Sequence, residues 1–394
     1  MSKLDKLIEE LCPDGVEYKS IKEIAVVSGA GVDKKINANE QPIKLLNYMD
    51  VYRNNYIDGS LDFMEVTASE NKISQCNVLK GDVFITPSSE VLNDIGNAAV
   101  ITEDLENVVY SYHIMRIRLK EYNFITSKYI GYIFESNYVQ TQINRHAEGI
   151  TRYGLTKTKW ESITIPLPPL PIQEEIVHIL DNFTELTAEL TAELTARKKQ
   201  YEFYRDELLT FGDEVKLIEL KECANISRGV RVVRSQLNDT GLFPVYQNSL
   251  TPLGYYSKSN FDADTTFLIS AGAAGEIGYS YGNFWAADDC FCFGCHDYLL
   301  SRFLYYVLLN KQYYIRSRVR KASIPRLSRS VVEKIQIPIP PLAEQERIVS
   351  ILDKFDALVN DISIGLPAEI EARQKQYEYY REKLLSFKEL DEGA

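Results

Sequence analysis

The 394-residue sequence has no apolar run of the length that crosses a membrane, and its cysteines are few. A membrane helix needs about 18 or more consecutive apolar residues, so we expect no membrane span. The segment Met1–Leu11 is too charged for a secretion signal and predicts a short amphipathic helix instead. Six cysteines in a chain of this length indicate reduced thiols, so we expect a cytoplasmic protein.

Two signatures of catalysis are also absent. The chain contains no Asn/Asp-Pro-Pro-Tyr/Phe motif of an amino-methyltransferase and no Gly-x-x-x-x-Gly-Lys-Ser/Thr phosphate loop. Its four histidines show no sequence link to a serine or cysteine nucleophile. We therefore predict that the chain is not an enzyme and has no catalytic residue of its own.

Two segments have the composition of ligand sites but favour a structural interpretation. Ala271–Gly278 lacks Gly-x-Gly and precedes no helix pattern, so it predicts a tight turn between strands, with nucleotide binding as the alternative. Its small residues would let the backbone approach DNA closely. Cys290–His296 holds three thiols, but a structural zinc usually needs two separated ligand pairs. The alternation predicts Cys290 and Cys292 on one buried face of a strand, and a metal site is the alternative.

The formal charge of −12 is unevenly distributed. Fifteen lysines and arginines against twelve acidic residues give residues 213–336 a net charge of +3, whereas the other parts of the chain are net acidic. The positive charge is concentrated in a stretch without acidic residues, which contains Lys311, Arg316, Arg318, Arg320, Lys321, Arg326 and Arg329. A net-acidic chain can bind phosphates through such a patch; a solvated helix face is the alternative.

One unusual segment occurs twice. Ile165–Phe183 and Ile337–Phe355 share a proline-rich entry and then Gln-Glu-x-Ile-Val-x-Ile-Leu-Asp-x-Phe, at a constant offset of 172. Gln200–Phe211 and Gln376–Phe387 share Gln-Tyr-Glu-x-Tyr-Arg-x-x-Leu-Leu-x-Phe at an offset of 176, so the second copy has four extra residues. Such a duplication predicts two equivalent arms, each with its own variable domain. The resulting pseudo-two-fold symmetry suits a bipartite DNA site.

The two variable regions, residues 1–164 and 213–336, share a frame and differ in the middle. Val16–Ser28 matches Val215–Ser227 in its lysine, glutamate and alanine positions. This is the pattern expected of one fold that reads two different targets. We therefore predict an α/β (α+β) fold with two similar domains.

Several short runs in the first region predict secondary structure. Asn97–Ile101, Val108–Tyr112 and Ile114–Leu119 predict strands, and the apolar/polar alternation of the last one predicts a half-buried strand. From Lys128 a helix pattern continues toward His146.

The repeated segments, residues 165–212 and 337–394, predict long helices. Proline is tolerated only in the first turn of a helix, so the first helix should begin near Pro171. Apolar and aromatic residues then recur in steps of four and three, the period of a coiled coil. Gly365-Leu-Pro367, at the site of the four extra residues, should interrupt the second helix. We predict an antiparallel coiled coil that fixes the distance between the two variable domains.

Together with the Thr-Ala-Glu-Leu tandem at residues 187–194, these motifs resemble the specificity subunit of type I restriction–modification systems. The resemblance covers the whole chain. It implies two target recognition domains that each read one half of a split double-stranded DNA site, and helices that set the spacer and dock two methyltransferase subunits. Restriction subunits are expected to join the complex. S-adenosylmethionine, ATP and magnesium are then expected on the partner subunits, with no cofactor or metal on this chain.

Candidate DNA-binding residues combine guanidinium, amide or amino groups with a turn context. Arginine, asparagine and glutamine make the usual base contacts, and lysine mostly finds phosphate. In the first region the candidates are Lys34, Lys35, Asn47, Arg53, Asn54, Ser88, Ser89, His113, Arg145, Arg152, Tyr153 and Lys157. In the second region they are Arg228, Arg231, Arg234, Gln247, Asn248, Lys258, Arg316, Arg318, Lys321 and Arg326.

The expected subunit interface follows the seam of the two helices. Its residues are Phe183, Leu190, Leu194, Tyr201, Tyr204, Leu208, Phe355, Tyr377, Tyr380 and Leu384. The alternative function is that of a non-enzymatic coiled-coil adaptor whose two α/β domains bind proteins. The basic stretch and the domain duplication favour DNA.

Overall fold

The computed structural model describes residues 2–238, 241–361 and 363–390. The chain divides into two compact units. Unit 1 comprises Met1–Glu189 with Glu371–Ala394, and unit 2 comprises Leu190–Ile370. Each unit mixes helices with sheets, which confirms the predicted fold class.

Unit 1 begins with a domain of short helices and strands, which we call the frame of this unit. Its helices are α1 (Lys3–Leu11), α2 (Ile21–Ile24), α3 (Tyr48–Arg53), α4 (Glu70–Gln75), α5 (Ser127–Glu135), α6 (Asn137–His146) and α7 (Lys157–Glu161). Its strands are β1 (Glu17–Ser20), β2 (Ala25–Ser28), β3 (Gln41–Leu46), β4 (Tyr56–Ile57), β5 (Met64–Ala68), β6 (Asn77–Val78), β7 (Val83–Ile85), β8 (Ser88–Ser89), β9 (Ala98–Ile101), β10 (Leu105–Tyr110), β11 (Met115–Leu119), β12 (Tyr153–Gly154) and β13 (Thr164–Leu167). A five-stranded sheet has the order β2-β11-β7-β9-β4, and a four-stranded sheet has the order β5-β3-β10-β6.

The five-stranded sheet is covered on both faces. Val83 and Ile85 of β7 belong to the apolar core that includes α5, whereas Phe84 between them belongs to the core that includes the four-stranded sheet. Successive side chains of a strand point to opposite faces, so each face of β7 has its own core. Unit 1 is therefore layered, with α5 on one face of this sheet and the smaller sheet on the other.

The prediction that β11 is half-buried is wrong. Arg116 is 9% exposed, and its Nη1 donates to the carbonyl oxygen of Asn77 at 2.7 Å. Arg118 donates to both carboxylate oxygens of Asp82, at 2.6 and 2.7 Å. The polar face of β11 is covered because Asn77 of β6, in the four-stranded sheet, lies against it, and the hydrogen bonds of the two guanidinium groups offset the cost of their burial.

The predicted helix from Lys128 to His146 is in fact two helices. Ser136 separates α5 from α6 with extended backbone angles, φ −67° and ψ 146°. Its side-chain oxygen accepts a hydrogen bond from the Val139 backbone N–H at 3.3 Å. Serine is a strong helix cap, so it ends one helix and starts the next.

Unit 2 repeats this frame with fewer strands. Its strands are β14 (Leu217–Glu219), β15 (Ala224–Arg228), β16 (Phe243–Tyr246), β17 (Gly254–Tyr256), β18 (Thr265–Ile269), β19 (Ile277–Ser280), β20 (Trp285–Ala286), β21 (Cys290–Cys295) and β22 (Gln336–Pro338). Its short helices are α9 (Leu220–Cys223), α10 (Ser301–Asn310), α11 (Gln312–Ser317) and α12 (Arg329–Glu333). The sheets have the orders β15-β21-β18-β19 and β17-β16-β20.

Strand β21 confirms the interpretation of the cysteine-rich segment. Cys290 and Cys292 are fully buried in one core cluster with Phe267. Phe291 and Phe293 belong to the core on the other face. Burial raises the pKa of the Cys290 thiol to about 12, so this thiol stays protonated. Among the described residues, no group of three or more histidine, cysteine or acidic residues could hold a metal ion.

The duplication extends to the register of the strands. β1 pairs with β13 so that Tyr18 faces Pro166, and β14 pairs with β22 so that Leu217 faces Pro338. These two pairs are related by the sequence offsets of 199 and 172. The pair of β2 with β11 and the pair of β15 with β21 also match in register, at offsets of 199 and 176: Ala25 faces Leu119, and Ala224 faces Cys295. The prediction of two similar domains is therefore confirmed.

The repeated segments form long helices with the predicted interruption. The first is α8 (Leu170–Leu208); the second is divided into α13 (Leu342–Asn360) and α14 (Leu366–Leu384). An added Cβ at Gly365 would lie 2.5 Å from the Ala357 carbonyl oxygen, so only glycine fits this close turn. The prolines lie at or before the helix starts, as proline requires.

The predicted helix seam occurs in both units. In unit 1, Phe183 of α8 stacks on Tyr380 of α14, with ring centroids 5.6 Å apart. In unit 2, the ring centroids of Tyr201 and Tyr204 of α8 lie 6.4 and 5.5 Å from the ring centroid of Phe355 of α13. The start of one repeated helix thus packs against the end of the other in each unit, which is an antiparallel pairing.

A matching ion pair attaches each repeated helix to its own frame. In unit 1, Lys128 of α5 lies 3.0 Å from Asp181 of α8. In unit 2, Arg302 of α10 lies 2.7 Å from Asp353 of α13. A tyrosine one helical turn after each cation, Tyr132 or Tyr306, donates to the same carboxylate.

The helices of the described residues include none whose length and apolar content would allow it to cross a membrane.

Candidate nucleic-acid interface

Several predicted residues of unit 1 lie together beside strand β8. Arg152 donates from Nε to the Ser88 hydroxyl at 3.0 Å, because β12 pairs with β8 and brings the 148–154 loop to this edge. His113 follows Tyr112, and their rings are 4.0 Å apart. We call Lys34, Asn47, Ser88, His113 and Arg152 the unit 1 cluster. Its members come from five separate stretches of the chain.

Burial and three nearby charges act on the His113 imidazole. Burial lowers the pKa of the His113 imidazole, and the charges of Lys34 and Arg152 lower it further, while Asp33 acts in the opposite direction. The imidazole is therefore mostly neutral at pH 7. An anion placed among these groups would meet two positive charges and a histidine able to take up a proton.

Asn47 has a structural role in this cluster. Its side-chain oxygen accepts from the Met49 backbone N–H at 3.0 Å, and Asp50 accepts from its backbone N–H, so Asn47 caps α3. Burial raises the pKa of Asp50, an effect that the nearby charges of Lys34 and Arg53 partly offset. Asn54 closes the same helix by donating to the Asp50 carbonyl oxygen at 2.7 Å. Asn47 and Asn54 therefore shape the edge, and Lys34 and Arg53 supply its charge.

Other predicted residues of unit 1 are arranged differently. Lys35 forms an ion pair with Asp33 at 2.6 Å, and Lys157 pairs with Glu161 on α7 at 3.5 Å. Ser89 and Tyr153 face each other in the β8–β12 pair. Arg145 is exposed in the last turn of α6. Among these, Ser89 and Tyr153 adjoin the cluster through the strand pair.

In unit 2 the glycine-rich turn organises the equivalent edge. The predicted turn between strands is confirmed, since Ala271–Glu276 connects β18 to β19. Gly272 has φ +82°, and an added Cβ would lie 2.8 Å from the Asn248 carbonyl oxygen. Ala271 pairs with Arg326, and Gly275 lies against Arg316 of α11. We call Asn248, Arg316, Arg326 and the 271–276 turn the unit 2 cluster.

The basic stretch forms a narrow loop at this edge. The backbone N–H of Arg320 donates to the Arg326 carbonyl oxygen at 2.8 Å, and the reverse bond is 3.2 Å. Lys321 and the other residues between these two arginines are exposed. Arg316 lies 3.8 Å from Glu276, and Arg318 lies over the Tyr314 ring at 5.1 Å. The loop corresponds by the offset of 172 to residues 148–154 of unit 1.

A second part of this edge holds an acidic group that sequence reasoning missed. Arg228 donates from Nε to the Asp288 carbonyl oxygen at 2.6 Å. The Oδ1 atom of Asp288 is buried and has no hydrogen-bond partner among the described residues. Asp288 and Asp289 occupy the positions of Tyr112 and His113 at the offset of 176. The signal was present in the repeat alignment, but a search limited to cationic and amide groups passes over carboxylates.

The remaining predicted residues of unit 2 lie in exposed loops or beside the core. Gln247 precedes Asn248, and its carbonyl oxygen accepts from the buried Cys290 thiol. Arg231, Arg234 and Lys258 are exposed. Arg234 begins a short 3-10 helix, Arg234–Gln236.

Exposed apolar side chains were also missed. Ile150 is 93% exposed at the tip of the 148–154 loop, and Tyr313 is 90% exposed on α11. Each belongs to its unit's basic edge, where an apolar or aromatic group can contact a base or sugar. Ile150 stands between Gly149 and Thr151, so no apolar periodicity marks it in the sequence.

The helix ends present a further pair of exposed aromatics. Phe203 and Tyr379, related by the offset of 176, are 64% and 63% exposed. Each packs edge-on against the seam tyrosine that follows it, at 5.6 and 5.3 Å between centroids.

The predicted interface residues themselves are largely used within the units. Tyr201 lies in the apolar core of unit 2, and Leu194 and Leu208 pack against that core. Leu384 packs against the apolar core of unit 1. Leu190 is partly exposed on α8. Tyr377 donates to the Glu135 carboxylate of α5 at 2.7 Å, so it contacts the recognition domain of unit 1.

The whole arrangement matches a known domain type. A sequence profile described as the type I restriction modification DNA specificity domain matches residues 13–197 and, a second time, residues 212–372. A Haemophilus influenzae protein named as a type I restriction enzyme specificity subunit is 39% identical over 269 residues, which cover 61% of this chain and 68% of that protein. The EcoR124I/EcoR124II specificity subunit of Escherichia coli is 32% identical over 292 residues, 66% of this chain and 70% of that protein.

Solved structures agree on the fold. The S subunit of a type I restriction–modification system from Mycoplasma genitalium covers 94% of this chain and 96% of its own, with a TM-score of 0.62 at 17% identity. A chain from a structure that addresses assembly and conformational transition of the type I system covers 95% of this chain and 98% of its own, with a TM-score of 0.60 at 17% identity. At this identity the likeness shows the fold alone.

Proposed function

We propose a function from the premise that this chain belongs to the type I restriction modification DNA specificity family. Each unit binds one half of a bipartite double-stranded DNA site through its cluster. The observation that carries this proposal is one frame, repeated in the same strand register, with different side chains at equivalent edge positions. A shared frame with different edges is what two independent half-sites require.

The two clusters differ in the chemistry that they offer to bases. The unit 1 cluster presents hydrogen-bond donors from Lys34, Arg152 and, when protonated, His113. Such donors suit phosphate and the O6 and N7 acceptors of guanine. Unit 2 adds the Asp288 carboxylate beside Arg228, and a carboxylate accepts from the amino group of cytosine. Half-sites of different composition are therefore expected.

The net charge of −12 does not oppose DNA binding. Phosphate contacts depend on local potential rather than on the charge of the whole chain. Both edges carry cations, and the acidic excess lies in the repeated segments, each with a net charge of about −5 by the same count of charged residues. The helices are accordingly better suited to bind protein than DNA.

Two methyltransferase subunits dock on the repeated helices in this proposal. Phe203 and Tyr379 support it, because an exposed aromatic at the same position of each helix end gives two equivalent docking points. Aromatic side chains commonly anchor protein interfaces. S-adenosylmethionine, ATP and magnesium belong to the partner subunits, restriction subunits join where the system includes them, and the chain alone is not a catalyst.

Methylome sequencing of a host that expresses the complete complex tests half-site recognition. Arg152→Ala should relax or weaken methylation only at one half-site, and Arg326→Ala only at the other, with a loss of about 1–3 kcal/mol for each base contact. Arg329→Ala serves as a control, because Arg329 lies on α12 in an ion pair with Glu333. Equal effects of Arg152→Ala and Arg326→Ala on both halves would contradict two independent readers.

A second experiment tests the absence of catalysis. The purified chain with S-adenosylmethionine, or with ATP and magnesium, should neither methylate nor cleave DNA. Adding the methyltransferase subunits and S-adenosylmethionine should produce methylated DNA. Methyl transfer by the chain alone would refute the proposal.

A further inference from the structure

The N-terminal helix α1 covers a surface that the duplication makes twice. Its apolar residues Leu4, Leu7 and Ile8 recur at helical spacing and so form one stripe. They belong to the apolar cluster of unit 1 that also contains Ile179 of α8 and Leu384 of α14. The helix therefore packs where the start of α8 meets the end of α14.

One ion pair and one weaker electrostatic attraction orient α1 on this surface. Lys3 forms an ion pair with Glu175 of α8. The pKa of Asp5 is lowered, mainly by hydrogen bonds from Ser2, and the charge of Lys383 on α14 contributes in the same direction. Lys3 thus meets an acid on one supporting helix, and Asp5 lies near a base on the other.

The equivalent surface of unit 2 is an open groove of about 590 Å³. Ile351 and Phe355 of α13 line one side, and Tyr204 and Leu208 of α8 line the other, with Phe211 at the end. These five residues correspond to Ile179, Phe183, Tyr380, Leu384 and Phe387 at the offsets of 172 and 176. No described segment of the chain covers this groove as α1 covers its counterpart.

The chain itself explains why unit 2 has no counterpart of α1. The matching frame residues Val16 and Val215 differ by 199, so the positions equivalent to Lys3–Leu11 are residues 202–210. Residues 202–208 of this stretch form the end of α8, which is one wall of the groove. Unit 2 therefore lacks a preceding segment that could fold back as a covering helix.

The charges that flank the open groove are reversed. Arg347 stands where unit 1 has Glu175, and Glu207 stands where unit 1 has Lys383. Both line the groove and are exposed, and Arg347 also contacts Glu344 at 2.7 Å. A helix with the charges of α1 would place Lys3 beside Arg347 and Asp5 beside Glu207. Like charges disfavour that pairing.

We infer that the groove between α8 and α13 in unit 2 binds an amphipathic helix of a partner subunit, with an acidic residue where α1 has Lys3 and a basic residue where α1 has Asp5. Unit 1 supplies the template for the apolar stripe, and Arg347 with Glu207 supplies the charge selection. A second copy of this chain would offer α1 itself, whose charges are the wrong way round. The inference rests on the proposed docking of partner subunits on the repeated helices, and it adds the surface that is used and the charges of its occupant.

Two synthetic peptides test this assignment on the full-length protein. Both span residues 1–12, carry a fluorescein and have a photoreactive benzoylphenylalanine in place of Leu11; the swapped peptide also has Lys3→Glu and Asp5→Lys. An exposed ion pair changes affinity by less than about fivefold, so two reversed pairs predict that the swapped peptide binds about tenfold tighter. Anisotropy measures the ratio, and mass spectrometry of the photocrosslink should locate the peptide beside Phe355 or Tyr204.

A double charge reversal of the groove gives the decisive comparison. Arg347→Glu with Glu207→Lys should make the native peptide the tighter binder by a similar factor. The control Glu346→Lys with Lys354→Glu changes exposed residues of α13 that do not line the groove, and it should leave the preference unchanged.

Three outcomes would overturn the inference. They are equal affinity of the two peptides, tighter binding of the native peptide by the unaltered protein, and crosslinks outside the groove. Tighter binding of the native peptide, with dimers in sedimentation, would assign the groove to a second copy. Half-site methylation would be unaffected in each case, so failure here does not count against DNA recognition.

Discussion

Gln173 and Gln345 make the same set of hydrogen bonds in the two units. The Gln173 amide nitrogen donates to the Pro168 carbonyl oxygen at 2.7 Å, and that of Gln345 donates to Pro340 at 2.9 Å. Each amide nitrogen also donates to a frame carbonyl, of Phe124 or Tyr298, and each amide oxygen accepts a frame N–H, of Thr126 or Leu300. Both side chains are fully buried. In each unit, one buried glutamine thus connects the proline-rich segment, the start of the long helix and the frame.

Gln345→Glu should destabilise unit 2. The replacement has nearly the same shape, but a carboxylate cannot donate to the carbonyl oxygens of Tyr298 and Pro340. Each buried group left without a partner costs about 1–3 kcal/mol, so the free energy of unfolding should fall by at least about 2 kcal/mol. Urea unfolding followed by circular dichroism measures the change. Gln374→Glu, on the exposed face of α14, is the matched control; equal midpoints for both variants would contradict the anchoring role.

The duplication made this part of the fold predictable from the sequence. The proline entries locate the helix starts, because proline has no place in a helix interior, and Gly365 marks the interruption of the second helix. The break at Ser136 could not be seen, since a serine inside an apolar pattern is tolerated in helices as well. Arg116 and Arg118 were assigned to a solvent face because alternation shows period, not what covers the polar side.

The candidate site was less predictable than the fold. Lys34 and Arg152 are more than one hundred positions apart in the chain, and only the pairing of β8 with β12 brings the second of them to the edge. Local turn context identified both residues but not their neighbours. Asp288 became a candidate only when the structure showed its buried oxygen without a partner. Burial and partners are tertiary properties, so composition does not report them.

DNA binding by unit 1 should strengthen as the pH falls through neutrality. Burial and the charges of Lys34 and Arg152 hold the pKa of His113 below its ordinary 6.5 in the free protein. DNA phosphate would raise this pKa, so the complex takes up a proton and affinity rises toward lower pH, by up to about tenfold for each unit of pKa shift. Anisotropy titrations between pH 5.5 and pH 8, a window of roughly one unit or more on either side of the ordinary pKa, measure this dependence.

His113→Gln should remove that part of the dependence, and His178→Gln on α8 should leave it. The same lowered pKa has the opposite effect on folding, since the unfolded chain binds the proton more readily. The contribution of His113 to stability is therefore present above the ordinary pKa of 6.5 and decreases as the pH falls below it. If the affinity of His113→Gln for DNA kept the same pH dependence as that of the unaltered protein, His113 would not be the group that takes up a proton on DNA binding.

Phe203→Ser with Tyr379→Ser should abolish docking of the methyltransferase without unfolding the chain. Both rings are mostly exposed, and burying an aromatic ring in an interface contributes about 1.5–3 kcal/mol. Co-purification with the tagged methyltransferase should fall, while the midpoint of thermal unfolding stays unchanged. Glu202→Ser with Glu378→Ser, the preceding exposed pair, is the matched control.

The seam tyrosines should behave differently from these exposed rings. Tyr204→Asp with Tyr380→Asp removes the stacking on Phe355 and Phe183, so it should lower both docking and stability. Full docking by the Phe203/Tyr379 double variant would show that the methyltransferase binds another surface.

The length of α8 should control the spacer of the bipartite site. α8 runs without interruption from Leu170 to Leu208, and the Thr191–Leu194 repeat lies inside it. Deleting these four residues shortens the helix by about 6 Å and turns it by about 40° beyond a full circle. Base pairs rise about 3.4 Å each, so the spacer should shorten by one or two base pairs, while both half-sites stay unchanged because neither cluster is altered.

Inserting a second copy of Thr191–Leu194 provides the opposite change, and the spacer should then lengthen by one or two base pairs at about 3.4 Å each. Methylomes of the deletion, insertion and unaltered strains measure half-sites and spacer together. A helix set obliquely to the DNA would give the smaller shift in both directions. Altered half-site bases at a constant spacer, or shifts of the same sign in both strains, would show that α8 does not set the distance.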